Sequence, residues 1–215
     1  MVKVEGVQFQ YGAEGPRMDF PDFACAQGER MLLLGQSGTG KTTLLHVLCG
    51  MLRAQAGAVE VAGRDLRASS DRDLDLWRGQ ELGIVFQRAH FVQSLSLEEN
   101  LALPHQLSQG RVPAAVLERM ASMLDRLGIA HRAQARPHEL SVGEQQRASI
   151  ARSLLHQPKV VFADEPTSAL DDENAAAVMD ILDREAADAT LVVVTHDQRL
   201  KDRYPHCVTL QRQGT

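Results

Sequence analysis

Between Gly35 and Thr42 the chain reads G-Q-S-G-T-G-K-T. The apolar run at 30–34 comes directly before it, and helix-forming residues follow from Lys41 to about Met51. Few local patterns restrict a fold so tightly. A short, continuously apolar run suits a strand buried on both faces of a parallel sheet. The glycines let successive backbone N–H groups turn inward as a nest for an anion, and the following helix adds the partial positive charge of its N-terminus. The string matches G-x-x-x-x-G-K-[ST] at every fixed position and stands between a strand and a helix, as a phosphate-binding loop must. An ordinary glycine-rich turn would need neither flank. Gly35, Gln36, Ser37, Gly38, Thr39, Gly40, Lys41, Thr42 and Thr43 are therefore expected around phosphates. Lys41 is expected to reach the β- and γ-phosphates and the Thr42 hydroxyl to ligate Mg²⁺.

A second motif, V-V-F-A-D-E at 160–165, is an apolar strand ending in two adjacent acids. Asp164 is placed for the Mg²⁺ shell. Glu165 would then face the γ-phosphate and orient or deprotonate the attacking water, a contribution typically worth about 10²–10⁴ in rate. Capping of the following turn is the alternative use of both acids.

The rest of the chain alternates strand and helix signals. Strands are expected at 2–10, 17–24, 30–34, 58–62, 82–86, 159–163, 190–194 and 207–210, and helices at 41–51, 71–79, 172–187 and 197–203. The first two strands, split by G-A-E-G-P at 12–16, suggest an antiparallel unit. From about 88 to 156 only helical signals remain. Ser96 with Glu99 and Ser141 with Glu144 form capping boxes for helices at 97–103 and to about 156, and Pro113 opens one to about Leu127. The expected fold is α/β: a P-loop NTPase core with a mostly parallel sheet, an N-terminal antiparallel β subdomain and an inserted α-helical subdomain. Residues 1–87 and 157–215 would form the catalytic core and 88–156 the helical insert.

Composition narrows the partners. A formal net charge of −5 lacks the basic stripe that nucleic acid wants, so nucleic acid is not expected. Cys25, Cys49 and Cys207 are odd in number and widely spaced; they read as reduced, buried small hydrophobes rather than a redox or zinc set. The histidines other than His196 lack ligand spacing, so no metal beyond Mg²⁺ is expected. The apolar runs are too short to span a bilayer.

L-S-V-G-E-Q-Q-R at 140–147 then distinguishes among phosphate-loop classes. It resembles the signature L-S-G-G-Q-x-x-R of the ATP-binding cassette (ABC) family, and the resemblance covers essentially the whole chain with the motifs in the family's order. It implies ATP and Mg²⁺ as ligands and gives residues their expected roles. Gln87 would sense Mg²⁺ and water, His196 the γ-phosphate, and Tyr11 would stack on adenine. S-A-L-D at 168–171, with Asp171, resembles the dimer-contact loop. Ser141, Gly143 and Glu144 would touch ATP held by the other copy of a homodimer. Val142 and Glu144 depart from the commonest glycine and glutamine. Taken alone, Tyr11 could instead pack under the first sheet, His196 could be a solvated strand-end residue, and Ser141 could be only a helix cap. An integral membrane permease is the implied partner, received near 89–97, where Phe91, Val92 and Leu95 offer either an apolar groove or subdomain core. The implied location is cytoplasmic, peripheral on the inner face of the membrane. A soluble cassette acting on ribosomes or DNA, or a P-loop kinase or GTPase, fits less well. The compact form resembles bacterial ATPases of the lipoprotein-release and macrolide-efflux type.

Overall fold

The computed structural model describes residues 1–211 except 169 and 205. In chain order the elements are β1 (Val2–Gln10), β2 (Arg17–Asp19), β3 (Phe23–Cys25), β4 (Arg30–Gly35), α1 (Lys41–Leu48), β5 (Ala56–Val61), β6 (Arg64–Asp65), α2 (Asp71–Glu81), β7 (Leu82–Val85), α3 (Leu97–Gln109), α4 (Ala114–Arg126) and α5 (Val142–Leu154). β8 (Val160–Asp164), α6 (Asp172–Glu185), β9 (Thr190–Thr195) and β10 (Cys207–Leu210) complete the order.

One sheet is wholly parallel, ordered β10-β4-β9-β8-β7. Successive β4 side chains point to opposite faces. Met31 and Leu33 join a core with α1 and the N-terminal strands. Leu32 and Leu34 join a second core with α5, α6 and the helices of the 97–155 region. Covering both faces in this way is what keeps a continuously apolar strand soluble. The second sheet is antiparallel, with β2, β3 and β5 paired to β1 and β6 at the edge beyond β5. Between β7 and β8 the described residues form helices and loops only.

Several boundaries moved for local reasons. The strand expected at 17–24 is two strands, because Pro21 fixes φ and lacks a ladder donor while Asp22 accepts the Gly6 N–H at 2.6 Å. The helix expected to stop at 103 continues through Pro104 to Gln109 and ends on Gly110 at φ 70°. α1 ends at Leu48, ahead of Gly50 at φ 64°. The helix expected at 197–203 is a short 3₁₀ turn, Gln198–Lys201. Both expected capping boxes are present, at Ser96 and Ser141.

The rim where the parallel strands begin is tied by Asp183. Its carboxylate accepts from Arg30 Nε (3.1 Å), Arg203 Nε (2.7 Å) and the hydroxyl of buried Tyr204 (2.9 Å). The three cysteines are unpaired. Burial, reinforced by the Glu29 charge, pushes the Cys25 thiol up to about 11, and burial raises Cys49 further.

Candidate active site

The phosphate loop leaves β4 at its carboxyl end and enters α1. Gly38 and Gly40 adopt φ of 81° and 85°, which L side chains avoid. A Cβ on Gly40 would lie 3.1 Å from Met18 Sδ, and one on Gly35 only 2.5 Å from Thr39 Oγ1. The motif glycines are thus required by backbone shape and by close approach. Lys41 is 9% exposed; its ammonium donates to Gly35 O (2.7 Å) and Gln36 O (3.1 Å) and lies 3.4 Å from Glu165 Oε1.

Asp164 and Glu165 leave the end of β8 beside this ammonium. Asp164 is buried, and its Oδ1 has no hydrogen-bond partner. Burial, then the neighbouring Glu165 charge, raise its pKa to about 6 against the pull of Lys41. A buried carboxylate oxygen without a donor is costly unless a cation meets it. With the Thr42 hydroxyl exposed in the first turn of α1, this all-oxygen donor set fits Mg²⁺.

Glu165 occupies φ 47°, a left-handed conformation that costs on the order of 1–3 kcal/mol and collects at functional sites. Its N–H bonds Val194 O at 2.8 Å. Its carboxylate accepts from Thr195 Oγ1 (2.8 Å) and the His196 N–H (3.3 Å), and His196 Nδ1 lies 2.9 Å from both oxygens. Burial pushes this carboxyl upward, but the bonds from His196 and Thr195 and the charges of His196 and Lys41 prevail and hold it below its ordinary value. Gln87 reaches the Glu165 backbone indirectly: its Nε2 donates to Ser168 Oγ (3.2 Å), which donates to the Glu165 carbonyl oxygen (3.1 Å).

An open cleft of about 590 Å³ has Tyr11, Lys41, Thr42, Gln87, Glu165 and His196 among its walls. Tyr11 is half-exposed, stands edge-on to Phe9 at 4.7 Å and shares a hydrogen bond with Thr43 Oγ1 (3.2 Å). Its ring is therefore available on the cleft wall rather than packed beneath the sheet. Pro16 and Met18 also line the cleft. They and the Thr195 hydroxyl are site residues that sequence reasoning missed, signalled only by their position beside Tyr11 and His196; Ser168, expected only as part of the dimer-contact loop, also bonds Gln87 and Glu165.

Ser141, Gly143, Glu144 and Asp171 are not on this cleft. Ser141 caps α5, its Oγ accepting from Glu144 N (3.2 Å). The Glu144 carboxylate is turned inward, onto Ser141 N (2.7 Å) and Arg132 Nε (2.8 Å). Those bonds, Arg132 first, hold its pKa down to about 2. Its carboxylate is committed to holding the start of the helix and is not presented to a ligand. Val142 is 59% exposed there. Asp171 caps α6 through Asn174 N (2.9 Å); Ala169, within S-A-L-D, lies outside the described residues. In the 89–97 segment, Phe91 is core, with the Arg152 guanidinium 4.7 Å above its ring, while Val92 remains exposed.

The chain is similar to known proteins in sequence and in fold. The ABC transporter family matches residues 19–168. The lipoprotein-releasing system ATP-binding protein LolD of Xanthomonas oryzae pv. oryzae (strain MAFF 311018) is 38% identical over 218 aligned positions, covering 99% of this chain and 88% of that protein. LolD 1 of Rhodopirellula baltica is 40% identical over 177, covering 81% and 77%. The pyoverdine export ATP-binding/permease protein PvdT of Pseudomonas entomophila is 38% identical over 185; the match covers 86% of this chain but only 28% of that longer protein. Among solved structures, the dimeric ATP-binding cassette MJ0796 in a post-hydrolysis state bound to ADP and Pi superposes with a TM-score of 0.86 at 28% identity, over 99% of this chain and 95% of that one. On both its own motifs and these matches, the chain belongs to the ABC transporter family.

Proposed function

We propose that the chain is the ATP-binding and ATP-hydrolysing subunit of a bacterial ABC transporter, working as a head-to-tail pair of copies that drives a separate membrane permease. The observation that carries this reading is the meeting of Lys41, Glu165 and His196 on one cleft, with the buried, unpartnered Asp164 oxygen on the residue just before Glu165 at the end of β8. ATP is the substrate. Mg²⁺, held by Thr42, Asp164 and Gln87, would neutralise phosphate charge. The chain's own residues do the rest. The loop N–H groups and Lys41 cradle the phosphates, and Tyr11 stacks on the base. Glu165, ionised at neutral pH and oriented by Thr195 and His196, positions and deprotonates the attacking water. His196 uses Nδ1 to hold Glu165, so Nε2 is the atom that would address the γ-phosphate.

Ser141 and Gly143 stand away from their own cleft, which supports their use across a dimer: the N-terminus of α5 from one copy would close over ATP on the loop of the other. The division into a core (1–87 and 157–215) and a helical insert (88–156) then separates the phosphate loop from the helix that serves the twin. The LolD relatives favour a lipoprotein-release type of complex. No helix among the described residues is long and apolar enough to cross a membrane. We place the chain at the inner face of the membrane, held by its permease through the 89–97 segment, with Val92 as the exposed apolar contact.

The Glu165→Gln variant tests the reading. It should keep its affinity for Mg-ATP, lose about 10²–10⁴ in hydrolysis rate and accumulate as a dimer in ATP, as read by light scattering. Wild-type turnover in that variant would remove Glu165 from the chemistry.

A further inference from the structure

Away from the nucleotide cleft, at the rim where the parallel strands begin, three groups of different chemistry converge. Cys25 ends β3 and is fully buried. Glu29 closes the turn that follows, and His206 stands just before β10. The thiol sulfur, one Glu29 oxygen and one His206 ring nitrogen all lie within 4.8 Å of one another. His206 Nδ1 is 3.9 Å from Glu29 Oε2. We propose that Cys25, Glu29 and His206 form a binding site for one Zn²⁺-class ion, with the fourth position open to water.

The donor set selects the metal. A thiolate, an imidazole and a carboxylate together suit Zn²⁺, whereas Mg²⁺ and Ca²⁺ prefer oxygen ligands alone. Tetrahedral Zn²⁺ places neighbouring ligand atoms about 3.5 Å apart, so groups that lie within 4.8 Å of one another, with His206 and Glu29 at 3.9 Å, need to close by up to about 1.3 Å. The flexible Glu29 and His206 side chains are the ones that move; Cys25 is fixed by pairing opposite Val2 in β1.

Two features pre-orient the site. The Ala26 N–H holds Glu29 Oε2 at 2.8 Å, and Glu29 N returns a bond to Ala26 O at 3.2 Å. This clamp aims the carboxylate as outer-shell partners do in metal sites. His206 O accepts the Leu32 N–H at 2.9 Å, fixing the backbone that carries the imidazole beside β4. Cys25 forms the floor, with exposed Glu29 and partly exposed His206 as the lip through which an ion enters. On binding, the metal replaces the thiol proton, which leaves to solvent, and no redox change is involved. The bound ion would tie the antiparallel sheet, through β3, to the parallel sheet, through β10.

Metal-stripped full-length protein titrated with Co²⁺, without nucleotide, tests the site. The expected result is a thiolate-to-cobalt charge-transfer band with the strong visible absorption of four-coordinate Co²⁺, displaced by one equivalent of Zn²⁺. Cys25→Ser should abolish the band. Glu29→Gln and His206→Gln, both at the surface and checked for folding by circular dichroism, should weaken Zn²⁺ binding at least about tenfold. Cys207→Ser and Asp164→Asn should leave the band unchanged, separating this site from the other thiols and from the Mg²⁺ position. Absence of a charge-transfer band, its survival in Cys25→Ser, or unaltered Zn²⁺ affinity in His206→Gln would overturn the proposal.

Discussion

Asp164 and Glu165 are adjacent, yet the structure drives their proton affinities apart. Asp164 is raised to about 6 chiefly by burial. A raised acid favours folding below its unfolded value, and that benefit is lost as pH rises through about 6. Ionised Asp164 therefore burdens the metal-free fold at neutral pH. Asp164→Asn is expected to raise the metal-free melting temperature by a few degrees at pH 7.5, on the order of 1–3 kcal/mol, with the gain shrinking below pH 6. Calorimetry across that range reads the sign directly, and the variant should at the same time lose Mg²⁺-dependent hydrolysis. Glu165 behaves oppositely: held below its ordinary value, mainly by His196 and Thr195, it contributes stability above the usual carboxylate range and loses it as pH falls through the lowered value. The identities of both acids were legible in V-V-F-A-D-E. Their environments were not, because Thr195 lies 30 residues away in sequence and meets Glu165 only once β8 and β9 pair.

At the scale of elements, the sequence was most readable where a signal is local. The strand–loop–helix at 30–48 and the boxes at Ser96 and Ser141 depend on residues within a few positions of one another, and all are present. The break beside Pro21 was harder to read, because Asp22 takes up the Gly6 N–H, 16 residues back in the chain. Asn100 is another case: it is 2% exposed, and its side-chain amide accepts from Val92 N (2.7 Å) and donates to Val92 O, Leu95 O and Ser96 O. It pins the 92–96 loop to α3. Asn100→Ala should cost about 1–3 kcal/mol in urea unfolding by leaving those backbone groups unpaired, and should loosen the 92–96 loop, read as faster amide exchange there. Ser141→Ala separates two uses of one side chain. As a cap it is worth about 1 kcal/mol; if it also serves the twin's ATP, hydrolysis well below the melting temperature should fall far more than so small a loss of stability explains.

Across the whole molecule, half of the proposed machinery cannot meet the other half within one copy, since the Ser141 helix start is not on the Lys41 cleft. That arrangement predicts complementation. Lys41→Ala and Ser141→Ala copies, each inactive alone, should recover ATPase activity when mixed, because the mixed dimer contains one site with an intact loop and an intact helix start. No recovery at concentrations where mixed dimers form would argue against shared sites. The order of motifs made this division readable in outline. The Cys25–Glu29–His206 cluster was not, since 177 residues separate Glu29 from His206 and the cysteine count alone argued for inert thiols.

The Asp183 knot holds the rim opposite the one where nucleotide chemistry is proposed. With five parallel strands running between them, the molecule has an anchored heel and a working toe. Alterations at the heel should therefore change how long the protein survives without changing how it works. Asp183→Asn is expected to lower the melting temperature through the lost charge and weakened bonds to Arg30, Arg203 and Tyr204, while KM for ATP at low temperature stays where it was. Lineages carrying this fold would then be free to tune endurance to their habitat by editing one end of the sheet, leaving the turnover machinery at the other end untouched.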